Sequence, residues 1–296
     1  MHIEDAEPRN RFGIFVFGAG NLLGSGCIFR QQLQQFIMKT LVTSLLLTFI
    51  AVVPTLAQKT INASDIINRI NRNESISYQN VTITGDLDLT SLANRREVRE
   101  GSWTGNSEQF LSVVNVPLSF RNCVFTGNVL AYRNEQQEER RLLKTDNKVY
   151  NTDFTETVTL ENCTFEKDAA FKYSTFRQRA IFTGNTFQKD AVFKYTKFGS
   201  AADFSKSTFQ AYADFKYTHF NESSAFDNVT FERYADFKYT KFDERTDFGQ
   251  ARFSNIADFK YTHFPRGTRF DNVRFDGSTD FKYTTLDGRK FSPKDK

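Results

Sequence analysis

Phe193-Lys194-Tyr195-Thr196 and Phe215-Lys216-Tyr217-Thr218 belong to a set of near-identical segments in the C-terminal half of the chain. Each segment starts 22 residues after the one before it, without slippage. The other members are Phe171-Lys172-Tyr173-Ser174, Phe237-Lys238-Tyr239-Thr240, Phe259-Lys260-Tyr261-Thr262 and Phe281-Lys282-Tyr283-Thr284. A fixed period of about 20–50 residues is the signature of a solenoid, whose repeats bury their apolar sides only by stacking on one another. The segments therefore predict a stacked repeat fold.

A finer rhythm of Phe residues lies inside the 22-residue unit, with steps that alternate between six and five residues. Such steps fall on different faces of a helix, and they are too sparse for a strand in which every second residue is apolar. The pattern instead predicts a chain that turns a corner between successive Phe residues and points each ring inward. Four Phe per unit then predict a coil with four sides. The series is Phe165, Phe171, Phe176, Phe182, Phe187, Phe193, Phe198, Phe204, Phe209, Phe215, Phe220, Phe226, Phe231, Phe237, Phe242, Phe248, Phe253, Phe259, Phe264, Phe270, Phe275 and Phe281, followed by Leu286 and Phe291.

Small residues stand two positions before many of these Phe residues, as Ala213, Thr218 and Ser224 do. A large inward ring beside a small inward group fills a narrow tube without voids. This combined pattern resembles the pentapeptide-repeat family, and most closely its Phe-centred branch with paired repeats of 11 residues. The resemblance implies an all-β fold, a right-handed quadrilateral parallel β-helix, and it is dense from residue 154 to residue 291. Phe in place of the family's commoner Leu implies a wider tube.

One unit per coil would stack equivalent residues at the inter-strand spacing of about 4.8 Å. Lysines and tyrosines then form outward columns, beside a column of Asp214, Asp236, Asp258 and Asp280. Aromatic rows can stack on sugars, and cationic rows can hold acidic polymers. We expect a non-catalytic structural or interaction scaffold, with an unknown protein or an envelope glycan as partner, whose repeated surface was carried along by duplication without selection for binding. The alternative is an extracellular or cell-surface module that binds glycans or acidic polymers through this surface. The candidate face consists of Lys194, Tyr195, Lys216, Tyr217, Lys238, Tyr239, Lys260 and Tyr261.

The N-terminal region carries a targeting signal. Met38-Lys39 precedes a short apolar run that closes with Thr55-Leu56-Ala57. A positive start, an apolar stretch and small residues before the cleavage point are typical of a secretory signal peptide. We expect residues 38–57 to be a signal peptide cleaved after Ala57, and the protein to be a secreted or periplasmic bacterial one. An uncleaved anchor is the alternative, but Pro54 and a run shorter than about 20 apolar residues disfavour it, so no stable membrane span is expected after cleavage.

Met38 is not the first residue, and residues 1–37 contain no recognisable fold element. We interpret them as an upstream extension from an incorrectly chosen start codon, with Met38 as the true beginning. A lipoprotein signal around Cys27 is the alternative, but its apolar residue lies one place too far from the cysteine.

The remaining segments are assigned around the solenoid. Residues 58–75 are expected to hold a short amphipathic helix, with Ser64 as a candidate N-cap, that covers the open end of the β-helix. The β-helix itself is expected over residues 76–291, and residues 292–296 form a tail. Two polar excursions, about 92–116 and 128–152, are expected to leave the tube as loops.

Two cysteines follow the predicted leader, in the matched settings Asn122-Cys123-Val124-Phe125 and Asn162-Cys163-Thr164-Phe165. An even count in an oxidising compartment permits a disulfide between Cys123 and Cys163. The other reading is that both thiols are compact buried side chains. Neither a CxxC motif nor a Cys/His cluster accompanies them, so no metal site is predicted.

Little in the chain suggests chemistry. His219 and His263 occupy one variable outward repeat position, and the aspartates repeat regularly, whereas a catalytic site is usually a local break in a rule. We predict no enzyme activity, no catalytic residues and no cofactor. The net charge of +4 comes from interleaved acids and bases, which predicts no nucleic-acid partner and argues against the acidic DNA mimics of the same family.

Overall fold

The computed structural model describes residues 59–98, 107–136 and 147–291. Short strands follow one another around a four-sided coil, and each strand pairs with its equivalent in the next coil. Thr186 pairs with Thr208 and Ala191 with Ala213, so one coil takes 22 residues. The predicted β-helix of parallel sheets is confirmed, and the described residues contain one α-helix near its N-terminal end, followed by the short 3-10 helix Leu89–Ser91.

Four sheets, numbered as faces in the order in which the chain visits them, make up the coil. Face one contains Ile76–Gln79, Leu118–Arg121, Val158–Glu161, Ala180–Ile181, Ala202–Asp203, Ser224–Ala225 and Thr246–Asp247. Face two contains Lys59–Asn62, Val81–Thr84, Val124–Phe125, Thr164–Phe165, Thr186–Phe187, Thr208–Phe209, Thr230–Phe231, Arg252–Phe253 and Arg274–Phe275. Face three contains Leu87–Asp88, Val129–Leu130, Ala169–Ala170, Ala191–Val192, Tyr212–Asp214, Tyr234–Asp236, Ile256–Asp258 and Thr279–Asp280. Face four contains Arg96–Glu97, Ser107–Val114, Tyr132–Gln136, Asn147–Phe154, Thr175–Phe176, Lys197–Phe198, His219–Phe220, Lys241–Phe242, His263–Phe264, Thr285–Leu286 and Arg289–Lys290.

The core is a bundle of stacked Phe columns, as the spacing predicts. Phe215 is fully buried, and its ring lies parallel to those of Phe193 and Phe237, with centroids 5.0 and 4.9 Å away. Rings of neighbouring columns meet edge to face, as Phe204 and Phe215 do at 5.2 Å and 87°. Offset stacking and edge-to-face contacts are the two arrangements that aromatic quadrupoles favour. Burial of each ring contributes about 1.5–3 kcal/mol before entropy, so this core is the main source of stability.

A column of buried hydroxyls runs beside the Phe rings at the turn between faces three and four. Thr218 Oγ1 donates to the carbonyl of Phe193 in the preceding coil at 2.7 Å, and Thr240 Oγ1 donates in the same way to Phe215. The carbonyl of Phe193 also accepts the backbone N–H of Thr196 at 3.0 Å. Threonine at this inward position therefore links one coil to the preceding one through its hydroxyl.

The predicted N-terminal helix, α1, spans Ala63–Asn71. Ala63, Ile66 and Ile70 are buried in the same core as the first coils, so the helix packs on the solenoid with one face. The prediction of Ser64 as N-cap was wrong, because the cap is Asn62. The side-chain oxygen of Asn62 accepts both the backbone N–H and the hydroxyl of Ser64, at 2.9 and 2.8 Å.

The prediction that the two excursions are loops was wrong for their described parts, which form strands. Ser107–Val114 and Asn147–Phe154 pair in parallel along their whole length. Tyr132–Gln136 pairs antiparallel with the second of them, and Arg96–Glu97 pairs antiparallel with the first. Face four thus widens into a sheet extension. It has its own ring stack, formed by Phe110 and Tyr150 at 5.0 Å, so these polar segments bury aromatic residues among themselves.

The chain reverses at the C-terminal end of the solenoid. Arg289–Lys290 pairs antiparallel with Thr285–Leu286, which brings Phe291 back over the last coil. The Phe291 ring stacks on Phe270 at 4.8 Å and is 7% exposed. Phe291 is therefore a plug over the core and not one more step of the repeat. In the part of the chain that the structure describes, no helix is long and apolar enough to cross a membrane.

Candidate binding face

The repeated Phe-Lys-Tyr-Thr segment is the turn that joins face three to face four. In one coil the backbone N–H of Thr218 donates to the carbonyl of Phe215 at 3.0 Å, and this bond closes a four-residue turn. Tyr217, the third residue, has φ of 59°, and its five equivalents also have positive φ. That region is unusual for a residue with a Cβ atom. It projects Lys216 and Tyr217 outward from a corner, where equivalent residues stack in register.

Six tyrosines form a continuous ladder along this corner. Tyr195, Tyr217, Tyr239 and Tyr261 follow one another with centroids 4.6–4.8 Å apart and planes within 9° of parallel. Tyr173 and Tyr283 extend the ladder at its ends. Because each inner ring is covered on both faces by its neighbours, the ladder presents ring edges and phenol hydroxyls outward. The idea that this row stacks on sugars is therefore wrong for the inner rings.

The aspartate column lies beside the turn on face three, and its first three members are shielded from solvent. Asp214, Asp236 and Asp258 are only 6, 3 and 7% exposed. Each accepts the backbone N–H of the lysine two residues later, as Asp236 does from Lys238 at 3.0 Å. Burial raises the pKa of Asp214 above its ordinary value. An outward position beside the lysines was expected for the whole column, and this was wrong for Asp214, Asp236 and Asp258, because these groups are buried and hold the turn.

The lysines of the column divide into two sets. Lys238 Nζ lies 3.2 Å from Asp236 and 3.4 Å from Asp258, and Lys260 pairs in the same way with Asp258 and Asp280. Burial lowers the pKa of Lys238, but the Asp236 carboxylate, the Tyr234 hydroxyl and the Asp258 carboxylate together raise it above its ordinary value. The second set lies near tyrosine rings instead, with Nζ 4.8–5.4 Å from the ring centroid of the same turn. This set is Lys172, Lys194, Lys216 and Lys282.

Sequence reasoning missed three tyrosines that flank this surface. Tyr212 donates from its hydroxyl to Asp236 at 3.2 Å, and the hydroxyl of Tyr234 accepts from Lys238 Nζ at 3.3 Å. Their shared position one coil apart, in Tyr-Ala-Asp, was a signal that could have revealed them. Tyr132 comes from the sheet extension and lies against Tyr173 at 5.8 Å, beneath Lys172 Nζ at 4.6 Å. No repeat signal could have revealed Tyr132.

A family model of pentapeptide repeats in nine copies matches residues 150–197, 193–241 and 237–285. This part of the chain is a pentapeptide-repeat scaffold. No curated protein and no solved structure matches the chain. The pentapeptide-repeat coils carry most of the candidate face, whereas Tyr132 belongs to the excursion that precedes the matched residues.

The two thiols lie one coil apart. Thr164 pairs with Val124, so Cys163 stacks directly on Cys123, and the backbone N–H of Thr164 donates to the Cys123 carbonyl at 2.9 Å. Both side chains are buried and unlinked. A side-chain hydrogen bond between the two thiols, and then burial, raise the pKa of Cys163. The disulfide stays a prediction.

The two histidines occupy the outward position on face four that the sequence assigned them. His219 pairs with Lys241 and Lys241 with His263, so the histidines are two coils apart. His219 Nε2 lies 2.6 Å from Asp243 Oδ2, and His263 Nδ1 lies 2.8 Å from Thr285 Oγ1. Among the described residues no group of acids, histidines and thiols is arranged to hold a metal ion.

Proposed function

We propose that this protein is a secreted, non-catalytic pentapeptide-repeat scaffold that presents one ordered corner to a partner outside the cytoplasm. That corner is the Lys/Tyr stripe, defined as the lysine and tyrosine columns from residue 172 to residue 283. The observation that carries the proposal is the continuous tyrosine ladder, whose members are 37–55% exposed. Large exposed apolar side chains in register are a typical feature of interaction surfaces.

The use of the polar groups supports a non-catalytic role. Asp214, Asp236 and Asp258 hold backbone N–H groups, and the buried threonines tie each coil to the one before it. A group held in the same way coil after coil serves the repeat, whereas catalysis needs one locally distinct arrangement.

The leader supports secretion, and its test is direct. We expect the exported protein to begin at Gln58, because cleavage follows Ala57. Mass spectrometry of the protein recovered from the culture medium or the periplasm would give its N-terminal residue. Recovery from the cytoplasm alone, with residues 1–57 attached, would overturn the secreted role.

The second candidate role is binding of an acidic polymer or glycan through the Lys/Tyr stripe. The observation that favours it is the row of phenol hydroxyls beside ammonium groups, both of which donate hydrogen bonds. We expect the mature protein to bind acidic polysaccharide, and a Lys194→Ala/Tyr195→Ala/Lys216→Ala/Tyr217→Ala variant to lose it. A matched variant on face two, Gln188→Ala/Gln210→Ala, should bind normally. Equal binding by the two variants would exclude the stripe.

A further inference from the structure

We propose that only the N-terminal end of the Lys/Tyr stripe binds, and that its ligand is an acidic polysaccharide held through its carboxylate or sulfate oxygens. This end consists of Lys172, Tyr173, Lys194 and Tyr195, with Tyr132 beside them. The inference rests on the stripe being the interaction surface of the scaffold. It adds the location and the mode of contact to the acidic-polymer binding proposed above.

The mode of contact follows from the ladder. Tyr195 and Tyr217 lie 4.7 Å apart with planes 1° from parallel, so no sugar ring can enter between them. What the ladder offers is a row of phenol O–H groups at the coil spacing, next to a row of ammonium groups. Burial, then the neighbouring tyrosines, raise the pKa of Tyr173 and Tyr195, so both phenols keep the proton that they donate. Hydrogen bonds from such donors to ionised oxygens are stronger than those to neutral hydroxyls.

The location follows from one column on face three. Ala170 pairs with Val192, Val192 with Asp214, and aspartates fill the same position in the later coils. The first two lysines of the stripe therefore have an alanine and a valine where later lysines have a carboxylate. Among the described residues, no carboxylate lies within 4.0 Å of the Nζ atoms of Lys172 and Lys194. Six lysines and four aspartates leave the whole column an excess charge of +2, and Asp214 of the next coil is the one aspartate of the column that lies beside these first two lysines.

Two other acids of these coils are turned to backbone groups at the far edge of face three, whereas Asp153 lies on face four, where it accepts the Thr175 backbone N–H and interacts with Lys197. Asp168 accepts the backbone N–H of Asp190 at 3.2 Å, and Asp190 accepts that of Tyr212 at 3.2 Å. Both stand four residues before the lysine of their coil, on the other side of a strand. Lys197, two residues after Tyr195, is exposed and adds a cation on the opposite flank of the ladder.

A polysaccharide fits this surface better than a nucleic acid does. Proteins that hold single-stranded nucleic acid stack bases on open aromatic faces, and here the inner faces are closed by their neighbours. Duplex binding draws its affinity from many phosphate contacts, whereas this end offers few cations. A single row of donors at the coil spacing suits a linear chain with regularly placed oxyanions.

The test uses the mature protein and five double or single variants. Lys172→Gln/Lys194→Gln removes the two positive charges at the N-terminal end of the stripe. Val192→Asp supplies the carboxylate that the later coils have at this position, and Val192→Asn is its uncharged control. Asp236→Asn/Lys238→Gln removes an ion pair from the neutral end without changing the net charge. Tyr173→Phe/Tyr195→Phe deletes two hydroxyls and keeps the rings.

Binding is measured by calorimetry to polygalacturonate, with neutral dextran and duplex DNA as comparison polymers and circular dichroism as the folding control. We expect the wild type to bind polygalacturonate alone. Lys172→Gln/Lys194→Gln, Val192→Asp and Tyr173→Phe/Tyr195→Phe should each weaken binding by about tenfold or more. Val192→Asn and Asp236→Asn/Lys238→Gln should stay within about twofold of wild type.

Three results would overturn the inference. Equal losses in the variants at the two ends would refute the location while leaving the stripe as the interaction surface. Tighter binding to dextran or DNA would refute the ligand class. A wild type that binds none of the polymers would refute acidic-polymer binding, while the secreted scaffold would still stand if the exported protein begins at Gln58.

Discussion

The column of buried hydroxyls makes a prediction that one matched pair of variants can test. Thr218→Val keeps the shape of the side chain and deletes the hydroxyl that donates to the Phe193 carbonyl at 2.7 Å. The carbonyl keeps its second donor, the backbone N–H of Thr196, so it is not left without a partner. The expected loss is therefore that of one ordinary hydrogen bond, about 1 kcal/mol, and not the larger cost of an unsatisfied buried group.

Ser174 is the control, because it stands in the same column and is also fully buried, yet its hydroxyl has no hydrogen-bond partner among the described residues. In the coil before it, Ala131 is followed by the strand Tyr132–Gln136 of the sheet extension instead of a Phe-Lys-Tyr-Thr turn. Removal of an unsatisfied buried hydroxyl costs little, so Ser174→Ala should be neutral or stabilising by up to about 1 kcal/mol.

Both free energies come from urea unfolding followed by circular dichroism, with a melting-temperature shift of about 2–4 °C expected per kcal/mol for a chain of this size. Equal destabilisation by Thr218→Val and Ser174→Ala would refute the assignment of the hydroxyls as inter-coil ties.

Two further predictions concern the core and the shielded aspartates. Phe215→Ala should lower the free energy of unfolding by about 3–5 kcal/mol, because Phe215 is fully buried between two stacked rings. The half-buried terminal Phe281→Ala is the comparison in urea unfolding. A loss for Phe215→Ala no larger than that for Phe281→Ala would contradict the buried Phe rings as the main source of stability. Burial raises the pKa of Asp214, so the native state binds this proton more tightly than the unfolded chain does. Ionisation of Asp214 then costs stability as the pH rises from the ordinary Asp pKa of about 4 through the raised native value. Asp214→Asn, which can still accept the Lys216 N–H, should gain on wild type over that window, and a difference in unfolding free energy that does not change with pH would contradict this.

The coil was predictable because every Phe of the repeat serves the same inward role. A side chain that recurs at alternating steps of five and six residues can meet its equivalents only if the chain turns four corners per 22 residues. The outward positions of Lys216 and Tyr217 followed from the same geometry. This part of the fold needs no knowledge of neighbours beyond the repeat itself.

The remainder depends on contacts between coils, which spacing alone does not reveal. Asp236 was expected to be exposed, but the hydroxyl of Tyr212 and the ammonium group of Lys238 cover it. The ladder of tyrosines was predicted, whereas the closure of its ring faces depends on ring orientation. The excursions were predicted to be loops because many of their residues are polar, and the alternating pattern of their strands was not recognised. Phe291 was predicted to be one more inward residue of the repeat because its spacing from Leu286 does not reveal that the chain reverses between them.

The most direct test of the architecture is removal of one repeat. Deletion of residues 216–237 joins Phe215 to Lys238 and removes one coil, because residues 22 apart pair in register. We expect a folded protein with β-sheet circular dichroism, an intact tyrosine ladder and one cooperative unfolding transition. A deletion of residues 216–234, which places Phe215 next to Ala235 and breaks the spacing, should lose these properties. Loss of structure in the 216–237 deletion, or an unaffected 216–234 deletion, would contradict the claim that each 22-residue unit is one coil.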